Sequence, residues 1–179
     1  MNLVILDRDG VINEDSDTYI KTPDEWTPLP GSLEAIARLN HAGYYVAVAT
    51  NQSGLARGLF DIHTLNAIHQ KMSDALAKLG GHIDLVLFCP HGPDDHCNCR
   101  KPQPGMMHNL ADKLNADLTG MPFIGDSLRD LQAAVSVKAQ PILVLTGNGQ
   151  KTAAQLEGLG DVPVYPDLAA AVSDLIQKT

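Results

Sequence analysis

Residues 3–10 read LVILDRDG, a short apolar run that ends in two aspartates and a glycine. A continuous apolar run of this length favours a β-strand buried on both faces, the kind found in parallel sheets. Gly10 suits a turn that needs a left-handed backbone. Because ligands of open α/β sheets bind at the carboxyl ends of the strands, we expect Asp7 and Asp9 to lie at the ligand-binding edge. The plainer interpretation is a strand followed by an acidic turn.

Beyond this run, apolar stretches alternate with helical patterns along the whole chain. The alternation and the short connections predict a doubly wound parallel sheet in a single α/β domain over residues 1–179. Ser32 and Asp61 are candidate helix N-caps. The loops 10–31 and 89–105 each follow a predicted strand and are too short for a large cap domain. The predicted strands are 3–6, 44–49, 83–88, 122–124 and 141–145, and the predicted helices are 33–42, 62–79, 106–114, 128–137 and 167–177.

The charge balance excludes several classes of protein. The 179 residues contain 13 Lys and Arg against 21 Asp and Glu, a formal net charge of −8. Nucleic acids and anionic membranes are bound by basic faces, so we expect no nucleic-acid or membrane partner. The first residues lack the pattern of a signal peptide, and no window approaches the roughly 20 apolar residues of a membrane helix. We expect a cytoplasmic monomer that acts on a small molecule.

Polar residues follow the other predicted strands as well. Thr50 follows the second strand, Lys101 follows the third strand and its loop, and Asp126 follows the fourth. In the plainer interpretation, Thr50 belongs to a polar turn, Lys101 is a solvated charge and Asp126 is a helix cap. Together with Asp7 and Asp9 they supply a nucleophile, an acid/base, a hydroxyl, a cation and metal-binding carboxylates. These are the groups that phosphoryl transfer requires.

The same motifs, LDRDG, TN, Lys101 and GDSLRD, resemble those of the haloacid dehalogenase superfamily of phosphatases, over residues 3 to about 147. The resemblance implies a fold of that superfamily and an aspartyl-phosphate formed on Asp7. It implies Asp9 as the acid/base, and Thr50 and Lys101 as contacts of the phosphoryl oxygens. The implied Mg²⁺ ligands are Asp7, the backbone carbonyl of Asp9, and Asp126.

The three cysteines lie close together in the loop after the third strand. Cys89, Cys97 and Cys99 fall within 11 residues, with His91 among them. A Cys₃His set binds tetrahedral Zn²⁺, and four protein ligands leave no open position, which indicates a structural zinc. His96 is a competing fourth ligand. The alternatives are buried thiols, which a polar loop disfavours, and a disulfide, which would leave one cysteine over and is disfavoured in the cytosol.

The loop 89–105, which carries the Cys₃His set and is called the zinc loop below, indicates one branch of the superfamily. DRDG, TNQSGLARG, CPH…CNCRKP and KPxPGM together resemble the heptose bisphosphate phosphatase family. That family removes the C7 phosphate of D-glycero-D-manno-heptose 1,7-bisphosphate on the route to ADP- or GDP-heptose for lipopolysaccharide and surface glycans. The histidinol-phosphate phosphatases are the nearest alternative and differ after TNQ and after RKP. Ser127 departs from family members that carry Lys there. A receiver-type phosphoacceptor module is the alternative from another class.

Substrate selection is predicted to fall to residues of the loops. Arg57 and Arg100 are candidates for the second, non-reacting phosphate, because Arg suits bidentate phosphate contacts. Arg57 has a plainer interpretation as a surface residue, and the acidic loop could be a solvated turn. The remaining candidate substrate contacts are Asp15, Asp17 and Tyr19 in the first loop, and Asn51, Gln52 and Ser53 after the second strand.

Overall fold

The computed structural model describes residues 1–178, and six strands of this range form one parallel sheet in the order β3-β2-β1-β4-β5-β6. Every neighbouring pair in the sheet is parallel. The predicted doubly wound parallel sheet is therefore confirmed. The strands are β1 (Leu3–Leu6), β2 (Tyr45–Asn51), β3 (Leu85–Cys89), β4 (Pro122–Gly125), β5 (Gln140–Val144) and β6 (Val164–Tyr165).

Helices cover both faces of the sheet. The apolar residues of β1 alternate between two cores, with Val4 and Leu6 in one and Leu3 and Ile5 in the other. The first core includes residues of α1, α2 and α6, and the second includes residues of α3 and α4. The helices are α1 (Ser32–His41), α2 (Ile62–Ala77), α3 (Gly105–Leu114), α4 (Leu128–Ser136), α5 (Gly149–Thr152) and α6 (Leu168–Gln177).

One local prediction is wrong, and two short elements were not predicted. Ser32 is the first residue of α1 rather than its N-cap, which is Gly31, and the Ser32 hydroxyl donates to the Val11 carbonyl at 2.8 Å. Asp61 does cap α2, because its side chain accepts from the Thr64 amide. The sequence also did not predict β6 or α5, since elements of two and four residues are too short to show a hydrophobic period.

The two loops that interrupt the alternation leave the carboxyl ends of β1 and β3, as expected. Within the described residues, 7–31 contains a single 3₁₀ turn, Pro23–Glu25, and 90–104 contains no helix or strand. Trp26, at 1% exposure, packs the first loop into the core beside β1. None of the helices in the described part of the chain has the length and apolar content needed to cross a membrane.

Candidate active site

Three carboxylates and one ammonium group meet at the carboxyl ends of the central strands. Oxygens of Asp7, Asp126 and Asp130 lie within 4.8 Å of one another. The ammonium group of Lys101 lies 2.9 Å from Asp7 Oδ1 and 2.6 Å from Asp130 Oδ1, and it also donates to the Ala49 carbonyl at 2.7 Å. The predicted residues Asp7, Lys101 and Asp126 are thus brought together, at 8% exposure or less.

Burial and the neighbouring negative charges raise the pKa of two carboxylates in this cluster, Asp7 and Asp126. Burial raises the pKa of Asp7, and the charge of Asp130 adds to the effect against the opposing charge of Lys101. Burial and the same Asp130 charge raise the pKa of Asp126 to about 7. One ammonium group does not balance three carboxylates, and oxygen-only donors are those that Mg²⁺ prefers. The donor set therefore fits a divalent cation, which would supply the missing positive charge.

Asp126 is fixed by two residues outside the sequence motifs, Asn148 and Thr152. Its Oδ2 accepts from the Asn148 amide at 2.8 Å, and its carbonyl accepts from the Thr152 hydroxyl at 2.7 Å. Gly10 approaches the same carboxylate at φ +82°, and a Cβ there would overlap Asp126 Oδ2. Only glycine meets both conditions. The short helix α5 thus positions Asp126.

Asp9 is held as a carboxylate by three neighbours. Its Oδ1 accepts from Arg8 Nε and Asn13 Nδ2, both at 2.9 Å, and its Oδ2 accepts from Gln52 Nε2 at 3.1 Å. Burial alone would raise the pKa of Asp9, but the charge of Arg8 and these hydrogen bonds outweigh it and lower the pKa. Arg8, which is fully buried, reaches His69 Nε2 at 3.2 Å on its far side.

Residues at the end of β2 and directly after it hold the catalytic candidates in place. Gln52 Nε2 also donates to the hydroxyl of Thr50 at 3.0 Å, which ties that hydroxyl to the Asp9 carboxylate. The Asn51 side chain makes two hydrogen bonds with the backbone of Lys101. Asn51 Nδ2 donates to the Lys101 carbonyl at 3.1 Å, and the Lys101 N–H donates to Asn51 Oδ1 at 3.0 Å. Both polar ends of Asn51 are therefore used to orient Lys101.

A cleft of about 240 Å³ opens above this cluster. Of the predicted substrate residues, Arg57 alone does not line it: the Arg57 guanidinium is exposed and lies 5.6 Å from the ring centre of Tyr19. Arg129 and Asn148 also line the cleft. The predicted residues that line it are Asp7, Asp9, Asp15, Asp17, Tyr19, Thr50, Asn51, Gln52, Ser53, Arg100, Lys101 and Asp126.

Asp130 is a site residue whose role the sequence motifs did not single out. Besides its ion pair with Lys101, its Oδ2 accepts from the amide of Ser127 at 3.1 Å and from the hydroxyl of Ser127 at 2.9 Å. Ser127, not Asp126, is the N-cap of α4, and the S-x-x-D spacing is the available sequence signal for this capping box. Asp130 thus joins the start of α4 to the buried lysine.

A second cluster lies at the end of β3 and in the loop that follows it. The Sγ atoms of Cys89, Cys97 and Cys99 and Nδ1 of His91 lie within 4.8 Å of one another, whereas His96 is outside the set. The Cys89–Cys97 sulfur distance of 3.7 Å matches the edge of about 3.8 Å in a tetrahedral zinc–thiolate site. The shortest sulfur distance, 2.9 Å between Cys89 and Cys99, is far longer than the ~2.05 Å of a disulfide bond. The donor set fits a closed metal site with four protein ligands.

The parallel sheet brings together an aspartate nucleophile candidate, a buried lysine and further carboxylates at its strand ends. This arrangement defines the haloacid dehalogenase class of hydrolases. A family model described as HAD-hydrolase-like matches residues 98–171. D-glycero-beta-D-manno-heptose-1,7-bisphosphate 7-phosphatase of Bordetella bronchiseptica is 59% identical over 182 residues, covering 99% of both chains. Its counterpart in Pseudomonas aeruginosa is 53% identical over 176 residues, covering 98% of both.

Among solved structures, a D,D-heptose 1,7-bisphosphate phosphatase from B. bronchiseptica complexed with magnesium and phosphate has a TM-score of 0.97 at 59% identity, with 100% of both chains covered. One from Burkholderia thailandensis has a TM-score of 0.78 at 50% identity, covering 98% of this chain and 99% of that chain. The chain belongs to the family of D-glycero-beta-D-manno-heptose-1,7-bisphosphate 7-phosphatases.

Proposed function

We propose that the protein hydrolyses the C7 phosphate of D-glycero-beta-D-manno-heptose 1,7-bisphosphate through an aspartyl-phosphate on Asp7, in the biosynthesis of an activated heptose. The observation that carries the proposal is the contact of 2.9 Å between the buried Lys101 ammonium group and Asp7 Oδ1 at the floor of the cleft. This contact places a nucleophile beside a fixed positive charge. Relatives at 59% and 53% identity are named as phosphatases of this substrate.

The first half-reaction transfers the phosphoryl group to the protein. An oxygen of Asp7 attacks phosphorus, the bond from phosphorus to the sugar O7 breaks, and Asp9 donates a proton to that leaving oxygen. Lys101 and the hydroxyl of Thr50 stabilise the charge on the phosphoryl oxygens. Since the ligand-free protein holds Asp9 ionised, the repulsion of a bound phosphate dianion supplies the rise in its pKa that protonation needs.

The second half-reaction releases inorganic phosphate. Asp9, now a carboxylate held by Arg8, Asn13 and Gln52, takes a proton from water as the water attacks phosphorus. The bond between Asp7 and phosphorus breaks, which restores the carboxylate. Asp7, Asp126 and the Asp9 carbonyl would hold Mg²⁺, which would supply positive charge that screens the repulsion between the nucleophile and the phosphate.

We assign the second cluster to a structural Zn²⁺ held by Cys89, His91, Cys97 and Cys99. The loop between β3 and α3 has no helix or strand of its own within the described residues, so a metal is the element that can order it. Lys101 follows Cys99 by two residues, and the zinc therefore fixes the entry of this lysine into the cleft.

Location and assembly are part of the same proposal. Free thiols arranged as metal ligands persist in a reducing compartment, which supports the cytoplasm. We also propose a monomer that acts on a small phosphorylated sugar without nucleic acid, since a formal net charge of −8 disfavours the binding of polyanions. Light scattering of the purified protein during size-exclusion chromatography should give the mass of one chain.

A phosphate-release screen tests the proposed substrate. Heptose 1,7-bisphosphate should give a higher kcat/KM than histidinol phosphate or fructose 1,6-bisphosphate, with many turnovers per enzyme. A preference for histidinol phosphate would move the protein to the neighbouring family. Transfer of one phosphoryl group to each enzyme molecule without repeated release of phosphate would indicate a phosphoacceptor module instead.

A further inference from the structure

A histidine interrupts the apolar face of α2. Leu65, Ile68 and Met72 are buried on this face, and His69 lies one helical turn from both Leu65 and Met72. The ring of His69 is half-buried, and its Nε2 lies 3.2 Å from Nη1 of the fully buried Arg8. A buried polar ring costs free energy unless it is hydrogen-bonded, so the contact with Arg8 explains a histidine at this position.

The hydrogen bond between these two side chains has one possible direction. A guanidinium group has only donors, so Arg8 Nη1 donates and His69 Nε2 accepts. Only a neutral imidazole with its proton on Nδ1 can accept at Nε2. Burial and the charge of Arg8 lower the pKa of His69 to about 4, which keeps the ring neutral at neutral pH. His69 is therefore a fixed acceptor for the buried guanidinium group.

Arg8 connects this acceptor to the proposed acid/base residue. On its other side, Arg8 Nε donates to Asp9 Oδ1 at 2.9 Å, and Nη2 lies 2.8 Å from the same oxygen. Asp9 lines the active-site cleft, whereas neither Arg8 nor His69 does. Because the guanidinium group is planar and rigid, a turn of the edge that faces His69 also moves the edge that faces Asp9. The orientation of the Asp9 carboxyl group therefore depends on a helix outside the cleft.

We propose that His69 is a positioning residue for Asp9, on which it acts through Arg8. The inference rests on the proposed function, because it concerns the proton that Asp9 gives to the sugar oxygen. Without His69 Nε2, one N–H of Arg8 is buried without an acceptor, and the guanidinium group turns toward another partner. Asn13 and Gln52 still hold the carboxyl group, so proton transfer slows but does not stop.

His69→Phe tests the proposal, because it keeps a ring on α2 but removes the acceptor. The measurement is the rate constant for phosphoryl transfer from heptose 1,7-bisphosphate to the enzyme, in single turnovers with Mg²⁺ and excess enzyme. It should fall roughly tenfold, about the value of one hydrogen bond, whereas substrate affinity should not change because His69 lies outside the cleft. His69→Gln retains an acceptor oxygen and should restore most of the rate. His69→Leu takes the place of His69→Phe if the phenyl ring prevents folding.

The same substitution in an Asp9→Asn background separates positioning from a general loss of structure. Asp9→Asn has no proton to give, so His69→Phe should cause no further loss of rate there. Ile68→Val, a core change one residue away on α2, is the matched control for stability. It should leave the rate constant near the wild-type value.

Three results would overturn the positioning role: an equal loss from His69→Phe in both backgrounds, an unchanged rate in His69→Phe alone, or no recovery in His69→Gln. Each of them leaves the proposed function intact. Wild-type enzyme that releases no phosphate from heptose 1,7-bisphosphate would instead overturn the proposed function, and the role of His69 with it.

Discussion

The carboxylate cluster and the zinc loop both concentrate metal ligands, but the chain builds them in opposite ways. Asp7, Asp126 and Asp130 come from segments after β1 and β4 that the parallel sheet brings side by side. The zinc ligands all lie within residues 89–99, in a loop without helix or strand after Cys89. The first site is assembled by the fold of the whole chain, and the second by a short stretch of sequence.

The difference indicates which site depends on its metal for its shape. Lys101 links Asp7 and Asp130 directly, at 2.9 and 2.6 Å, so the protein's own ion pairs hold the carboxylate cluster. The thiols and imidazole of the loop contact mainly one another. We therefore expect loss of Mg²⁺ to stop the chemistry but leave the fold, and loss of Zn²⁺ to disorder the loop itself.

The largest expected effect is that of Asp7→Asn. The amide cannot attack phosphorus, so kcat should fall by at least about 10⁴-fold, as nucleophile substitutions do. Removal of one of three crowded carboxylates should leave the fold and the zinc content intact. Phosphate release, circular dichroism and metal analysis of the same sample check these expectations. Turnover near the wild-type rate would remove Asp7 from the mechanism.

Asp130→Asn tests whether the ion pairs hold the carboxylate cluster. Loss of one partner leaves the buried Lys101 without its closest charge, so the free energy of unfolding should fall by about 3 kcal/mol. Denaturant unfolding measures the change. Glu25→Gln, which breaks the exposed pair with Lys21, is the control and should have a much smaller effect. Equal effects in the two variants would show that the buried pair does not support the site.

Removal of zinc tests whether the zinc loop depends on its metal for its shape. After chelation and addition of Mg²⁺ alone, kcat/KM should remain about tenfold to a hundredfold below that of the holoenzyme, because Lys101 loses its support. Hydrogen exchange in residues 89–101 should accelerate, while β1 and β4 stay protected. Addition of Zn²⁺ should restore both. Freshly purified protein without bound zinc would refute the metal assignment.

The smallest expected effect concerns the buried contact of His69 with Arg8. Burial, followed by the charge of Arg8, lowers the pKa of His69 to about 4 from 6.5. Between these two values the unfolded chain binds a proton that the native state does not, so stability should fall as the pH drops from 6.5 to 4. Because solvent screens the half-buried ring, the expected fall is roughly 1–2 kcal/mol. His69→Gln should flatten the pH dependence in that interval. Identical curves for the two proteins would show that His69 does not titrate in this way.

The sequence predicts the ligand-binding edge of the sheet well because its signals are local. The apolar run of β1 and the polar residues after each strand are sufficient to place Asp7, Thr50, Lys101 and Asp126 at one edge. The cysteine spacing likewise predicts the second cluster, since its ligands are near neighbours in the chain.

Contacts between distant residues explain what the sequence did not reveal. Nothing local marks Asp130 as the partner of Lys101, or Asn148 as the residue that holds Asp126. The residues next to Arg57 and Arg129 do not indicate which of the two arginines lines the cleft. Their distance from the cleft depends on how the segments pack, which local propensity does not determine.

The most direct test of the central claim is to follow both phosphorus signals of D-glycero-beta-D-manno-heptose 1,7-bisphosphate by ³¹P NMR. With wild-type enzyme and Mg²⁺, the C7 phosphate signal should disappear as inorganic phosphate forms, the C1 phosphate signal should persist, and Asp7→Asn should change neither signal. Loss of the C1 signal first, or no loss of the C7 signal, would contradict the account.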